Sequence, residues 1–302
     1  MPKLIMMIGL PASGKSTYAK EISKKENAVI ISSDSMREEL YENVNDTEHN
    51  TELFIEIHKR IKEHLKNDIS VVYDATNINY KMRKAFLIEL NKINCYKECY
   101  FMATPYERCL EQNNIRDRKV PEHVIKRMYK NIFIPQYYEG FDKIHIIKNF
   151  DPNDFDTHIL FNGQNGLNNI VQDNPHHTLT IGRHCQKCSM ICEELKNDFT
   201  LNIAALYHDI GKRFTKEFKN TKGENTDIAH YYQHHLVSAY DSLFYLQRVS
   251  QEDLLEIVKY ITWHMQPFFL ETEKAKNKFI KLVGKEFYDN LLILHKSDVL
   301  AK

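Results

Sequence analysis

The sequence predicts an α/β domain built on a parallel, doubly wound sheet, followed by an all-α domain. Three observations carry this. Short β-rich runs alternate with amphipathic helical patterns up to about residue 148, apolar residues at three- and four-residue spacings take over from Thr178, and between Phe150 and Pro175 the composition shifts to Asn, Asp, Gly and Pro. The expected division is 1–150 for the first domain, 151–167 for a linker and 168–302 for the second. A chain of 302 residues with 42% apolar side chains has enough material for two cores.

The strands expected in the first domain are 4–8, 29–32, 70–73, 100–102 and 143–147. In such a sheet ligands gather beyond the carboxyl ends of the strands, so the residues just after each strand matter most. After the first strand runs Gly9-Leu10-Pro11-Ala12-Ser13-Gly14-Lys15-Ser16-Thr17, of the form GxxxxGK[ST]T and followed by a helix-like segment. Strand, glycine-rich loop and helix in that order make a P-loop. Backbone N–H groups of Gly9, Ser13 and Gly14 can surround a phosphate at the helix N-terminus, Lys15 can reach the β- and γ-phosphates, and Ser16, with Thr17 beside it, can ligate Mg²⁺. The expected cofactor is ATP, or another nucleoside triphosphate, with Mg²⁺.

Two further strand ends carry reactive groups. Asp34 could take a proton from an attacking hydroxyl, with Arg37 three residues on gripping an anionic acceptor, or it could simply cap the helix that starts there. Asp74 could hold the Mg²⁺ water shell or belong to an Asp/Asn turn. Downstream, the cationic run containing Arg116 and Arg118 is either a solvated charge cluster or a source of a lid arginine for the γ-phosphate.

These segments, with Tyr138-Glu139-Gly140-Phe141-Asp142, resemble the kinase module of 5′-hydroxyl polynucleotide kinases over about the first 150 residues. The resemblance implies that Lys15 and Ser16 serve the nucleotide phosphates and Mg²⁺. It also implies that Asp34 is the general base, that Arg37 holds the acceptor phosphate and that Arg116 or Arg118 is the lid arginine. Gln112 stands where many relatives carry an arginine. P-loop kinases of small hydroxylated metabolites share much of the pattern.

In the second domain the expected helices are 179–196, 201–212, 227–248, 254–264 and 274–300. His184, the adjacent pair His208-Asp209, His234-His235, His264 and Asp298 fall on separate helices or at their ends, a ligand set suited to Mn, Fe, Ni, Zn or Mg in a bundle core. Ala204-Ala205-Leu206-Tyr207-His208-Asp209-Ile210-Gly211-Lys212 resembles the signature of the metal-dependent HD phosphohydrolase superfamily, over about residues 168–302. That resemblance implies a first metal on His184, His208, Asp209 and Asp298, and a second site completed by His234 and His264 with Asp209 bridging. The metal implied is Mn²⁺ or another divalent transition metal. His235 stands where similar domains often have Glu, which leaves His234 or His235 as the ligand, and His177 is a candidate phosphate contact. Cys185, Cys188 and Cys192 share one helical face with no second CxxC at zinc-ribbon spacing, so they read as packing residues.

A polynucleotide-kinase-like module joined to an HD phosphohydrolase is the combination found in RNA end-healing enzymes. The implied activity is phosphorylation of a 5′-hydroxyl and removal of a 2′,3′-cyclic or terminal phosphate, with a separate RNA ligase acting afterwards. RNA ends are the implied partner, with DNA 5′-hydroxyl ends as the alternative. A small-molecule kinase fused to an HD nucleotidase, and a nucleotide-sensing regulator, use the same motifs. The 41 basic and 41 acidic residues cancel, so a nucleic-acid contact must come from a local basic patch. The absence of a basic-then-apolar leader or a membrane-length apolar run leads to the expectation of a cytoplasmic protein, and six cysteines fit a reduced compartment.

Overall fold

The computed structural model describes residues 1–46, 48–175 and 178–302, which fall into two compact units. The first comprises Met1–Met128 and Ile134–Asn149, the second Tyr129–Phe133 and Phe150–Lys302. His177, expected as a phosphate contact, lies outside the described residues, as do Thr47 and His176.

In chain order the first part runs β1 (Lys3–Ile8), α1 (Lys15–Glu26), β2 (Val29–Ser32), α2 (Ser33–Tyr41), α3 (Asn50–Lys66), β3 (Val71–Asp74), α4 (Tyr80–Glu89), β4 (Tyr96–Ala103), α5 (Tyr106–Ile115), α6 (Glu122–Lys130) and β5 (Lys143–Lys148). The five strands form one sheet in the order β2-β3-β1-β4-β5, all parallel. β1 sits at the centre and is covered on both faces, which is why Leu4 to Ile8 read as an unbroken apolar run and are 0–1% exposed. On α3, Leu53, Ile57, Ile61 and Leu65 recur every fourth residue and are all buried. Truncating one of them to alanine costs about 2–5 kcal/mol.

Register then aligns the strand ends. Met7 pairs with Asp74, Ser32 with Asp74, Ile8 with Phe101 and Ala103 with Lys148, so the residues after β1, β2, β3, β4 and β5 emerge at one edge. The strand expected at 70–73 is displaced by one residue, and the one at 100–102 is longer because Tyr96 to Cys99 also pair with β1.

The second unit is helical: α7 (Thr157–Asn162), α8 (Ile181–Leu195), α9 (Phe199–Tyr207), α10 (Lys212–Thr215), then β6 (Glu217–Lys219) and β7 (Asn225–His230), α11 (His234–Tyr245), α12 (Gln251–Trp263), α13 (Glu273–Val283) and α14 (Lys285–Leu300). Three of the expected helices are corrected. The helix placed at 227–248 is a strand followed by a shorter helix: Asn225–His230 pairs antiparallel with Glu217–Lys219 across a turn at Gly223, and α11 begins only at His234. The helix at 274–300 breaks at Gly284, whose φ of +95° and ψ of 150° fit no helix. The helix at 201–212 ends at Tyr207, and His208–Gly211 turn the chain into the site.

Residues 151–167, expected as a linker, include α7 and bury Leu160, Phe161 and Leu167. Asp156 caps α7 by accepting from the N–H groups of His158 and Ile159. Within this stretch 157–161 is the one run that the sequence marks as ordered, and it forms most of α7. Among the described residues no helix is long and apolar enough to cross a membrane.

Candidate active sites

The loop after β1 is shaped by backbone constraints. Gly9 has φ +155°, donates its N–H to the Thr76 carbonyl at 3.0 Å, and a Cβ there would lie 2.9 Å from Ser13 Oγ. No other residue fits that approach. Gly14 opens α1 with φ +91°, and Ser16 and Thr17 lie exposed on the first turn. Lys15 is 7% exposed, donating to the Leu10 carbonyl at 2.6 Å and lying 3.5 Å from Ser13 Oγ. Burial lowers its pKa to about 8, against the opposing pull of Asp74, which is itself buried at the end of β3. The Leu10 carbonyl and Asp74 offset part of the cost of burying the amine and an arriving anion would offset more, which suits a phosphate-binding lysine.

Asp34 sits at the start of α2. The cap is Ser32, whose Oγ accepts from the Asp34 N–H at 3.3 Å, so the capping role left open for Asp34 belongs to its neighbour. The Asp34 carboxylate is half-exposed and ion-paired with Arg118, with Arg37 at 3.4 Å. Arg37 is fixed in turn by the Asp46 carbonyl at 2.9 Å and Asn50 Oδ1 at 2.7 Å. Arg118 also donates to the Val44 carbonyl at 2.8 Å and Asn45 Oδ1 at 3.0 Å. Arg116 does not pair with Asp34. Its Nε donates to the Arg118 carbonyl, and its charge acts on Lys15 as well as on Asp34.

In the second unit His184 on α8, His208 and Asp209 after α9, His234 at the start of α11, His264 at the end of α12 and Asp298 on α14 converge. His184 Nε2 lies 3.2 Å from His208 Nε2, 3.3 Å from Asp209 Oδ2 and 3.1 Å from Asp298 Oδ1. His234 Nε2 lies 3.1 Å from His264 Nε2 and 3.2 Å from Asp209 Oδ1. Asp209 thus stands between two pairs of imidazoles, one on each carboxylate oxygen. His234 is the member of the His234-His235 pair at ligand distance. His235 only approaches the other rings edgewise, and burial lowers its pKa to about 3.

The turn that presents His208 and Asp209 depends on Gly211. A Cβ there would lie 2.5 Å from the Ser238 nitrogen and 2.6 Å from the His234 carbonyl, so a glycine alone lets α11 approach and bring His234 to Asp209. Its N–H donates to Ser238 Oγ at 2.9 Å.

Residues 4–135 match the family model of the AAA domain, and residues 181–302 match that of the HD domain. The chain joins a P-loop kinase domain to an HD domain. Similar proteins include an L-seryl-tRNA(Sec) kinase of Methanococcus maripaludis, 32% identical over 149 residues, covering 44% of this chain and 53% of the relative. A protein of Acanthamoeba polyphaga mimivirus assigned as a bifunctional polynucleotide phosphatase/kinase is 30% identical over 154 residues, covering 48% of this chain and 33% of the relative. The chain therefore spans about half or less of the length of these relatives. A chain of the Pnkp1/Rnl/Hen1 RNA repair complex aligns at 21% identity over 42% of each chain, with a TM-score of 0.38.

The HD ligand set fits a divalent metal on its own geometry. His208, His234 and His264 each point Nδ1 at a backbone carbonyl, at 2.8, 2.7 and 2.7 Å, which assigns the proton to Nδ1 and leaves Nε2 as a lone pair. Two lone pairs facing each other at 3.1 Å repel unless a cation lies between them. Ligand nitrogens each ~2.1 Å from one ion lie roughly 3–3.5 Å apart, which matches both imidazole pairs. Asp209 Oδ1 is buried without a hydrogen-bond partner among the described residues, although a carboxylate oxygen demands one. Burial opposes a charge on His208, yet Asp209 and Asp298 outweigh it and push its pKa up, so the two carboxylates favour positive charge at this place, which a metal ion would supply. Cys185, Cys188 and Cys192 are 0% exposed, and burial raises all three thiols, so they pack the core of α8.

Several residues have roles that the sequence alone does not give them. Thr104 and Asn149, the first residues after β4 and β5, donate to the Ser13 carbonyl at 3.0 and 3.1 Å and hold the P-loop from the far side. Both follow strand ends, where the ligand-facing residues of such a sheet gather. Arg83 on α4 makes a fully buried two-point ion pair with Glu139, 2.7 Å at each contact, and donates to the Asn77 carbonyl at 2.8 Å. Asn77, at φ +46°, donates to the Met7 carbonyl at 2.9 Å, so this pair fixes the loop behind Gly9. In the HD site Lys212, three residues after Asp209 and on the same face, places Nζ 2.6 Å from Asp209 Oδ2 and 2.8 Å from Gln172 Oε1.

Proposed function

We propose that the chain is a two-site RNA end-healing enzyme. Its P-loop kinase domain would phosphorylate a 5′-hydroxyl from ATP, and its HD domain would remove a 2′,3′-cyclic or terminal phosphate. The observation that carries the kinase half is the position of Asp34, a half-exposed carboxylate released from helix capping and flanked by Arg37 and Arg118. A proton acceptor between two guanidinium groups suits a hydroxyl that carries a phosphodiester on its 3′ side.

In this reading the incoming phosphate takes Arg37 and draws Arg118 away from Asp34, freeing the carboxylate. The 5′-hydroxyl proton passes to Asp34, the oxygen attacks the γ-phosphorus, and ADP leaves. Lys15 would neutralise the phosphates, Ser16 and Asp74 would hold Mg²⁺ and its water, and Arg116 would supply the lid charge. In the HD domain His184, His208, Asp209, His234, His264 and Asp298 would hold Mn²⁺ or another divalent transition metal. When bound, the metal polarises the phosphoryl group and lowers the pKa of a water. Asp209 orients the imidazoles from both sides, and Lys212 holds the Asp209 carboxylate and adds positive charge beside the substrate phosphate. A separate ligase would then seal the healed ends.

The likeness to an L-seryl-tRNA(Sec) kinase favours a second reading, in which the acceptor hydroxyl belongs to an amino acid carried on RNA. Comparing ATP consumption with a 5′-hydroxyl oligoribonucleotide, a mononucleoside and an aminoacylated tRNA separates the readings. Turnover with the oligoribonucleotide supports the first. Turnover only with one of the others replaces it.

A further inference from the structure

The HD cavity has an apolar rim that hydrolysing a phosphate does not require. It measures about 310 Å³, with buried Asp209, His234, His264 and Asp298 as its floor and Lys212 in its wall. Its mouth is lined by His230, Tyr232, Met265 and Phe268. These residues come from the same chain turns as two of the floor histidines: Tyr232 lies two residues before His234, and Phe268 four after His264. Because the His234 and His264 Nε2 atoms meet at 3.1 Å, the two aromatic segments open on one mouth.

Core packing does not account for these rings. Phe268 is 40% exposed and meets His295 edge-on, with centroids 4.4 Å apart. Tyr232 is half-buried and lies parallel to His230, at 5.5 Å and 4°. Between Tyr232 and His234, Gln233 holds φ +65°, a left-handed conformation that costs energy in a residue other than glycine.

We propose that this rim is a nucleobase subsite. The HD domain then takes the phosphate ester of a nucleoside, with the phosphate over the floor beside Lys212 and the base against Phe268 and the Tyr232–His230 stack. The volume, near the lower end for small-ligand sites, admits one terminal nucleotide and leaves the rest of a strand outside. Aromatic faces accept any base, so affinity should depend on the presence of a base and little on its identity. This inference rests on the HD domain acting on phosphate esters.

The test is equilibrium binding to the full chain carrying Lys15→Ala, which disables the nucleotide site of the kinase domain, with and without Mn²⁺. The probes are adenosine 3′-monophosphate and the base-free glycerol 1-phosphate. The nucleotide should bind about 10-fold tighter or better, and Phe268→Ala should remove most of that margin while leaving glycerol phosphate affinity and bound metal unchanged. Phe268→Trp should keep the margin. Equal affinity for the two probes, no binding of either, or a Phe268→Ala loss shared by both would overturn the subsite. Hydrolysis of both probes at equal efficiency would uphold the phosphohydrolase and sink the subsite. Base discrimination without any hydrolysis would do the reverse.

Discussion

His234 Nε2 and His264 Nε2 lie 3.1 Å apart although each ring commits its Nδ1 proton to a carbonyl of its own chain turn, Tyr231 for one and Ile261 for the other. His184 and His208 bring their Nε2 atoms to 3.2 Å, with His208 Nδ1 on the Ala205 carbonyl and His184 Nδ1 3.4 Å from the Ala301 carbonyl, and Asp209 reaches into both pairs. Two opposed lone pairs and a shared carboxylate define a place for positive charge. Asp209→Ala should therefore lose bound transition metal altogether. His264→Ala should reduce the metal content without emptying the site, and Cys185→Ser should leave it unchanged. Elemental analysis of the purified variants reads all three.

Asp34 separates chemistry from helix capping. Asp34→Ala should cut 5′-phosphorylation by ~10²–10⁴-fold. Because Ser32 is the cap, the same change should leave thermal stability nearly untouched, whereas Ser32→Ala should cost about 1 kcal/mol. Initial rates and melting curves on the two variants decide this. A destabilised Asp34→Ala with a normal rate would return Asp34 to a structural role.

Arg116 and Arg118 should divide their labour. Arg118 is ion-paired with Asp34 whereas Arg116 is held by the Arg118 carbonyl, so Arg118→Ala should raise the KM for the polynucleotide and Arg116→Ala should lower kcat. Steady-state kinetics with each substrate varied in turn tests the split. Identical effects of the two substitutions would contradict it.

The buried Arg83–Glu139 pair predicts a stability signature. Arg83→Met leaves Glu139 charged and unpaired in the core, at a cost of about 3–5 kcal/mol, and Arg83→Met with Glu139→Leu should recover most of the loss. The double variant should still bind ATP more weakly, since the Asn77 carbonyl loses its guanidinium and the loop behind Gly9 loosens. Melting curves and ATP titrations report the two effects separately.

Much of this was legible in the sequence because particular spacings leave few options. The P-loop needs Gly9 and Gly14 for backbone reasons, and β1 reads as buried because both its faces are covered. His208-Asp209-Ile210-Gly211 announced the HD turn, but not the reason for Gly211, which lies in an approach of α11 that only the folded chain reveals. The hairpin before α11 was missed because the apolar residues of 227–248 also fit a helical period. Arg83 and Glu139 are 56 residues apart, and nothing local marks them as partners.

The central claim is that one chain carries two independent phosphoryl-handling sites. The direct measurement is incubation of an RNA bearing a 5′-hydroxyl and a 2′,3′-cyclic phosphate with ATP, Mg²⁺ and Mn²⁺, reading both ends for the wild type, Asp34→Ala and His208→Ala. The wild type should convert both ends, Asp34→Ala only the 3′ end, and His208→Ala only the 5′ end, because the two sites share no residue. Loss of both conversions in either folded variant, or neither conversion by the wild type, would contradict the account.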